Sequence, residues 1–343
     1  MARDENLLAH RAWLRPAWWR RSMPQTQTAY VALAFAALVV VVWILAPVFM
    51  TPRNLLNISK NFSFIALMSL GETLVIISGG IDLSVGSVCA LSAVVTMMLM
   101  RFFSATAVVH MPGATIALAA ILALALGSLI GFVNGLLIAG LRLSPFVTTL
   151  GMLSIARGMT YVLTQGRAQY PVGPDVAVFT RLTNGTMLGL PPQLVYLLVI
   201  AVMMALALRH TVWGRHLYAV GGNMHAAALT GVRVPRILIS VYTLSGAAAG
   251  FSGVLIAGWL GAAPANLASG YELRVIAAAV IGGANLAGGV GGAAGAIIGA
   301  ALIEVIRNGF VLIGANTYWE EVFVGVVIVL AVLVDQIRTR RLF

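Results

Sequence analysis

The length of its apolar runs constrains this chain most. Ten follow one another at 29–50, 61–78, 86–103, 113–139, 146–164, 191–209, 236–260, 273–286, 290–311 and 319–336. About 20 consecutive apolar residues let a helix cross the hydrocarbon core. The runs are continuous, which excludes a β-barrel, whose strands alternate. Only 9% of the 343 residues are charged and 60% are hydrophobic, whereas about 25% charge is usual in a soluble chain. The sequence predicts an all-α polytopic membrane protein with about ten transmembrane helices. The eighth run is short and the third starts in a glycine-rich turn, so nine or eleven crossings stay open.

The net charge of +11 reflects topology rather than nucleic-acid binding. Ten spans put both termini on one side. That side would hold Arg3, Arg11, Arg15, Arg20, Arg21, Arg142, Arg209, Arg215, Arg233, Arg236, Arg338, Arg340 and Arg341. The opposite face would hold Arg53, Lys60, Arg101, Arg167 and Arg181. Basic residues favour the cytoplasmic side, so both termini are expected inside. Residues 1–28 interleave arginines with Trp13, Trp18 and Trp19, which suits a cytoplasmic interfacial segment or a plain basic tail. A membrane domain follows over 29–336, then a cytoplasmic tail over 337–343. No cleavage site follows the first run, which is expected to stay as an anchor. Cys89 is the one cysteine, so no internal disulfide forms.

Two glycine-rich passages break the apolar pattern, 78–87 (SGGIDLSVGS) and 281–289 (IGGANLAGG). They align without a gap, Gly79 with Gly282, Gly80 with Gly283, Asp82 with Asn285, Leu83 with Leu286 and Gly86 with Gly289. The match suggests broken helices at matching places in two structural repeats, parallel ones if the preceding spans run the same way. Gly246 and Gly250, and Gly291, Gly295 and Gly299, recur every four residues, a spacing that lets helix backbones approach closely in lipid.

Ionisable groups inside spans are expensive and face a cavity or a partner. Glu304 and Arg307, three apart, can pair on one helix face. Glu72 has no basic neighbour at helical spacing; it reaches another helix, with Arg157 as one candidate, or faces a solute path. Asp82 suits a helix cap or the same path. Ser84, Asn134, Phe146 and Asn285 complete the candidate pathway set. The five histidines show no metal-ligand spacing, and no G-x-x-x-x-G-K-[ST] phosphate loop occurs, so no catalytic, metal or cofactor site is expected in this chain. An ion gradient, or a separate ATPase holding ATP and Mg, must then supply any transport energy; a scaffold without flux also stays open.

Residues 211–235 favour the external motor. Asn223 can cap a short helix over 224–230 that Gly231 stops, with Gly221 and Gly222 as a hinge and Arg209, Arg215, Arg233 and Arg236 around it. A short helix in a basic loop between spans suits a groove on a soluble partner.

These residues resemble the permease subunits of bacterial ABC sugar importers, the ribose, xylose, arabinose, galactose and autoinducer-2 group. The most specific match is GGIDLSVGS at 79–87. Others are TPRNLLN at 51–57, Asn134-Gly135, PFVTTLG at 145–151, Gly214-Arg215 through Gly221-Gly222-Asn223 to Gly231, and GYEL at 270–273 with Ile281-Gly282-Gly283. The resemblance implies a multi-pass inner-membrane subunit that pairs with a second permease subunit, identical or paralogous. A cytoplasmic ABC ATPase binds and hydrolyses the ATP, and a periplasmic or lipid-anchored sugar-binding protein delivers a monosaccharide. It places Gly221, Gly222, Asn223, Ala226, Ala227 and Gly231 in ATPase coupling. Arg274 and Glu72 depart from the group's pattern, which has an acidic residue and Met or Gln there.

Overall fold

The structure is a computed structural model that describes residues 23–106 and 113–316 and the single positions 319, 322, 323, 325, 326 and 329. The interfacial segment expected over 1–28 (residues 1–22 and the side chains of 23–28), most of the last predicted span and the tail over 337–343 lie outside the described residues.

Seven described helices are long and apolar enough to cross a membrane. In chain order, α1 is Met23–Leu45, α2 Pro52–Ile77, α3 Val85–Thr106, α4 Ala114–Gly140, α5 Pro145–Thr164, α6 Val176–Asn184, α7 Pro192–His210, α8 Val212–Gly222, α9 Met224–Leu229, α10 Val234–Leu260, α11 Tyr271–Ile281 and α12 Ala293–Leu312. Proline stands at the start of α2, α5, α7 and α10, where its fixed φ and missing N–H suit a first turn. That start carries α2 well ahead of the predicted 61.

Helix α2 is the centre: 83% of its most apolar stretch is buried, against 22% for α5. In a membrane the outer faces of α4, α5 and α7 meet lipid or another subunit. Helix α10 crosses α4 at backbone contact. A methyl on Gly127 would stand 2.4 Å from the Gly246 carbonyl oxygen, and one on Gly131 2.1 Å from that of Tyr242. Lipid offers no hydrophobic gain for burying apolar side chains, so close van der Waals contact holds such helices together. Cys89 is free and buried in this core.

The eighth predicted span is the main departure. Helix α11 has 11 residues, about 16 Å at 1.5 Å per residue, roughly half the hydrocarbon thickness. Apolar composition cannot separate a full crossing from a half-length helix buried against other helices. The segment 261–270 before it folds onto α5: Arg157 Nη1 donates to the Leu267 carbonyl at 2.7 Å, and Gln169 and Ala263 exchange backbone hydrogen bonds of 3.0 and 2.8 Å.

Candidate functional site

Two broken segments and the basic loop meet at one end of the bundle. Helix α2 ends in a Schellman cap: the Gly79 amide donates to Ile76 O at 2.9 Å and the Gly80 amide to Val75 O at 3.0 Å, with Gly79 at φ +84°. That left-handed residue suits glycine and satisfies carbonyls that a helix end leaves open. Helix α11 ends the same way, Gly283 to Val280 O at 2.9 Å and Ala284 to Ala279 O at 3.0 Å, with Gly283 at φ +98°. The cap pairs Gly79 with Gly283, one residue on from the gapless sequence alignment.

A buried polar cluster holds the first break. Asp82 does not cap α3, since the helix begins at Val85 and Ser84 precedes it. Its Oδ1 instead accepts from the Ser84 amide (2.9 Å) and hydroxyl (2.6 Å), and its Oδ2 from the Ser245 hydroxyl of α10 (3.0 Å). Asn134 of α4 donates to Ser84 Oγ at 3.1 Å, and Glu72 Oε1 accepts the Asp82 amide at 3.1 Å. Glu72 therefore meets its own chain ten residues on, while Arg157 is engaged with Leu267. Glu72 Oε2, Asn134 Oδ1 and the Tyr242 hydroxyl are buried without a hydrogen-bond partner among the described residues.

Of the other pathway candidates, Phe146 is exposed at the start of α5. Asn285 stays within the second break, its Oδ1 accepting from the Ala287 amide at 2.7 Å. Glu304 and Arg307 pair on α12: Arg307 Nε donates to Glu304 Oε2 at 2.8 Å and Nη2 to Oε1, and the Glu304 side chain is 1% exposed. Next to them Asn308 and Asn54 of α2 exchange side-chain hydrogen bonds of 3.0 and 2.9 Å. Arg274 lies over the Tyr271 ring, 5.5 Å from its centroid. Among the described residues no group of three His, Cys, Asp or Glu side chains is placed to hold a metal.

In the basic loop, the Ala226 amide donates to Asn223 Oδ1 at 2.9 Å, which caps α9. A Schellman pair closes it, Gly231 to Ala228 O (3.0 Å) and Val232 to Ala227 O (3.1 Å), with Gly231 at φ +87°. Ala227 is the buried residue of α9, and Met224, His225, Ala226, Ala228 and Leu229 are exposed. A cavity of about 670 Å³ separates α9 from the first break, with Ser78, Gly80, Arg142, Met224, Ala228 and Tyr242 on its walls. The Tyr218 hydroxyl of α8 donates to the Gly291 carbonyl at 2.8 Å, and burial pushes its pKa above the usual phenol range, so it remains a donor at neutral pH.

Sequence reasoning missed Ser245, Tyr242, Gly127, Gly131 and Gly135. The glycines repeat the four-residue spacing noticed in α10 and were open to the same reading. Ser245 and Tyr242 carry no local signal, because their roles depend on a segment some 160 residues away in sequence.

A bundle of apolar helices of membrane-crossing length defines an all-α multi-pass membrane protein. Residues 54–332 match the family described as branched-chain amino acid transport system / permease component, and the chain belongs to that family. It is 39% identical over 307 residues to the ribose import permease protein RbsC of Escherichia coli K12, covering 88% of this chain and 92% of that one. It is 38% identical over 313 residues to the probable ABC transporter permease protein y4mJ of Sinorhizobium fredii (91% and 90%), and 35% over 302 residues to the galactose/methyl galactoside import permease protein MglC of E. coli K12 (86% and 90%). No solved structure matches the chain.

Proposed function

We propose that this chain, paired with a second copy or a close paralogue, forms the path by which a pentose- or hexose-type monosaccharide enters a bacterial cell across the inner membrane, driven by ATP hydrolysis on a separate ABC subunit and loaded by an exported sugar-binding protein. The family description names branched-chain amino acids. The choice of sugar rests on one observation: relatives named for ribose and galactose import match across about nine-tenths of both chains.

Ten passes, with α11 a half-length one, put both termini on the side of α9, and the arginines around α9 favour the cytoplasm for that side. The shared caps of α2 and α11 support a parallel repeat. Their C-terminal ends also lie together, with Ile76 packed among Ile276, Ala279, Val280 and Ala284. The exposed face of α9 is the surface the ATPase would grip, with Gly221, Gly222, Asn223, Ala226, Ala227 and Gly231 shaping it. Glu72, Asp82, Ser84 and Asn134 would border the path, and the open acceptors Glu72 Oε2 and Asn134 Oδ1 suit a polyhydroxylated solute. Glu304 and Arg307 stay a structural pair.

Reconstitution with the ATPase and the binding protein tests this reading. ATP-dependent accumulation of ribose or galactose is the expected result. Accumulation by the chain alone under a proton or sodium gradient would replace it with a secondary carrier.

A further inference from the structure

The two breaks and the loop touch at one point made almost entirely of backbone. Ile77 ends α2, so its carbonyl lacks an acceptor role within the helix. The Gly289 amide of the second break donates to it at 2.9 Å. Gly221 of α8 lies against that bond: a methyl there would stand 1.7 Å from Ile77 O and 2.6 Å from the Gly289 nitrogen. The contact is reciprocal, since a methyl on Gly288 would stand 2.6 Å from Gly221 O and one on Gly289 3.2 Å from Gly222 Cα. Tyr218, one turn earlier, adds its hydrogen bond to Gly291.

On the reading of the chain as an ATP-driven importer, we propose that Gly221 and Tyr218 are positioning residues that deliver movement of α9 to both breaks at once, through the Ile77–Gly289 hydrogen bond. Helix α8 is built to transmit it. Thr211 caps its start by accepting from the Gly214 amide at 3.1 Å, and Trp213 Nε1 donates to Ser240 Oγ of α10 at 2.8 Å. Only extended Asn223 separates α8 from α9. Backbone packed on backbone has no side-chain rotamers to absorb a displacement, so a shift of α8 must move the Ile77 carbonyl, the Gly289 amide or both. One hydrogen bond then reports the position of α9 to two segments that the chain keeps some 200 residues apart.

Gly222 provides the contrast, since a methyl there meets nothing within 4 Å among the described residues. The experiment uses the full complex with ATPase and binding protein in proteoliposomes and reads sugar accumulated per ATP hydrolysed. A wild type that hydrolyses ATP without accumulating sugar would sink the importer reading itself. Given a coupled wild type, Gly221→Ala should lower the ratio about tenfold, within the usual range of coupling between sites, while hydrolysis continues. Its ratio should fall at least about fivefold below that of Gly222→Ala, which adds the same methyl to open space. Tyr218→Phe, which removes only the hydroxyl, should lower it about threefold. Equal ratios for the two alanine variants would overturn the proposal. Should Gly221→Ala fail to assemble, Tyr218→Phe decides alone, and a wild-type ratio there overturns it.

Discussion

The two glycine breaks start from the same cap and are then held by opposite means. After Gly80 the first break is fastened by side chains from four helices: Glu72 accepts from the Asp82 amide, Ser245 and Ser84 donate to the Asp82 carboxyl, Asn134 donates to Ser84, and Thr149 of α5 donates to the Ile81 carbonyl at 3.3 Å. After Gly283 the second is fastened by backbone. Backbone bonds run from Asn285 to Val290 O, from Gly288 to Asn285 O and from Gly289 to Ile77 O, the Ala287 amide donates to Asn285 Oδ1 and Tyr218 to Gly291 O, and Gly288, Gly289 and Gly291 all have positive φ. Buried side-chain networks hold one geometry because each lost partner leaves an unpaired polar group. A glycine-rich segment held mainly through its backbone has more arrangements within reach. We expect the first break to be the stiffer of the two and the second to yield more.

The largest effect that would break this contrast lies at Asp82. Asp82→Ala strips partners from the Ser84 amide and hydroxyl and from Ser245, and buried unpaired groups cost about 1–3 kcal/mol each. We expect a loss of about 3 kcal/mol or more, read as a lowered midpoint of unfolding in detergent. A loss below about 1 kcal/mol would mean that the network does not hold the break. Glu72 comes next. Glu72→Ala leaves the Asp82 amide without an acceptor and should cost about 2 kcal/mol, whereas Glu72→Gln keeps an acceptor and should stay within about 0.5 kcal/mol of wild type. Equal losses for both would assign Glu72 a role as a charge rather than as an acceptor.

How much of this could be read beforehand varies with the range of the interaction. The ends of α4 lie within a residue of the predicted 113–139, and Asn223 and Gly231 bound α9 as their chemistry requires. Those are local matters of capping and apolar length. The cap register at 282–283 is different, because either glycine can adopt positive φ and only the hydrogen bonds of α11 select Gly283. Nor does local sequence show that Glu72 meets the Asp82 amide or that Ser245 of α10 meets the Asp82 carboxyl. The second depends on the close approach of α2 and α10, where a methyl on Gly71 would stand 2.9 Å from Ser245 Cα. The candidate site was legible as a set of residue types, and its wiring was not.

A smaller effect compares the breaks at their shared cap. Gly79 and Gly283 both have positive φ, where a β-carbon costs roughly 1–2 kcal/mol. Gly79→Ala and Gly283→Ala should each destabilise by about that amount. Their effects on transport should differ, since a stiffened second break hinders the part that moves. Gly283→Ala should reduce the uptake rate more than Gly79→Ala at matched stability, and the reverse order would make the first break the mobile one.

Asn285 carries the smallest effect and the finest distinction. Its Oδ1 accepts the Ala287 amide at 2.7 Å at the exposed edge of the second break. Water can replace the side chain there, so Asn285→Ala should cost only about 0.5 kcal/mol, the low end for a hydrogen bond. If the second break works through backbone mobility alone, uptake with ribose or galactose should keep the wild-type half-saturation concentration and change only in rate. A rise in half-saturation at unchanged stability would instead place the Asn285 side chain against the solute. The second break would then be part of the path wall as well as its moving part, and the division of labour between the two breaks would have to be redrawn.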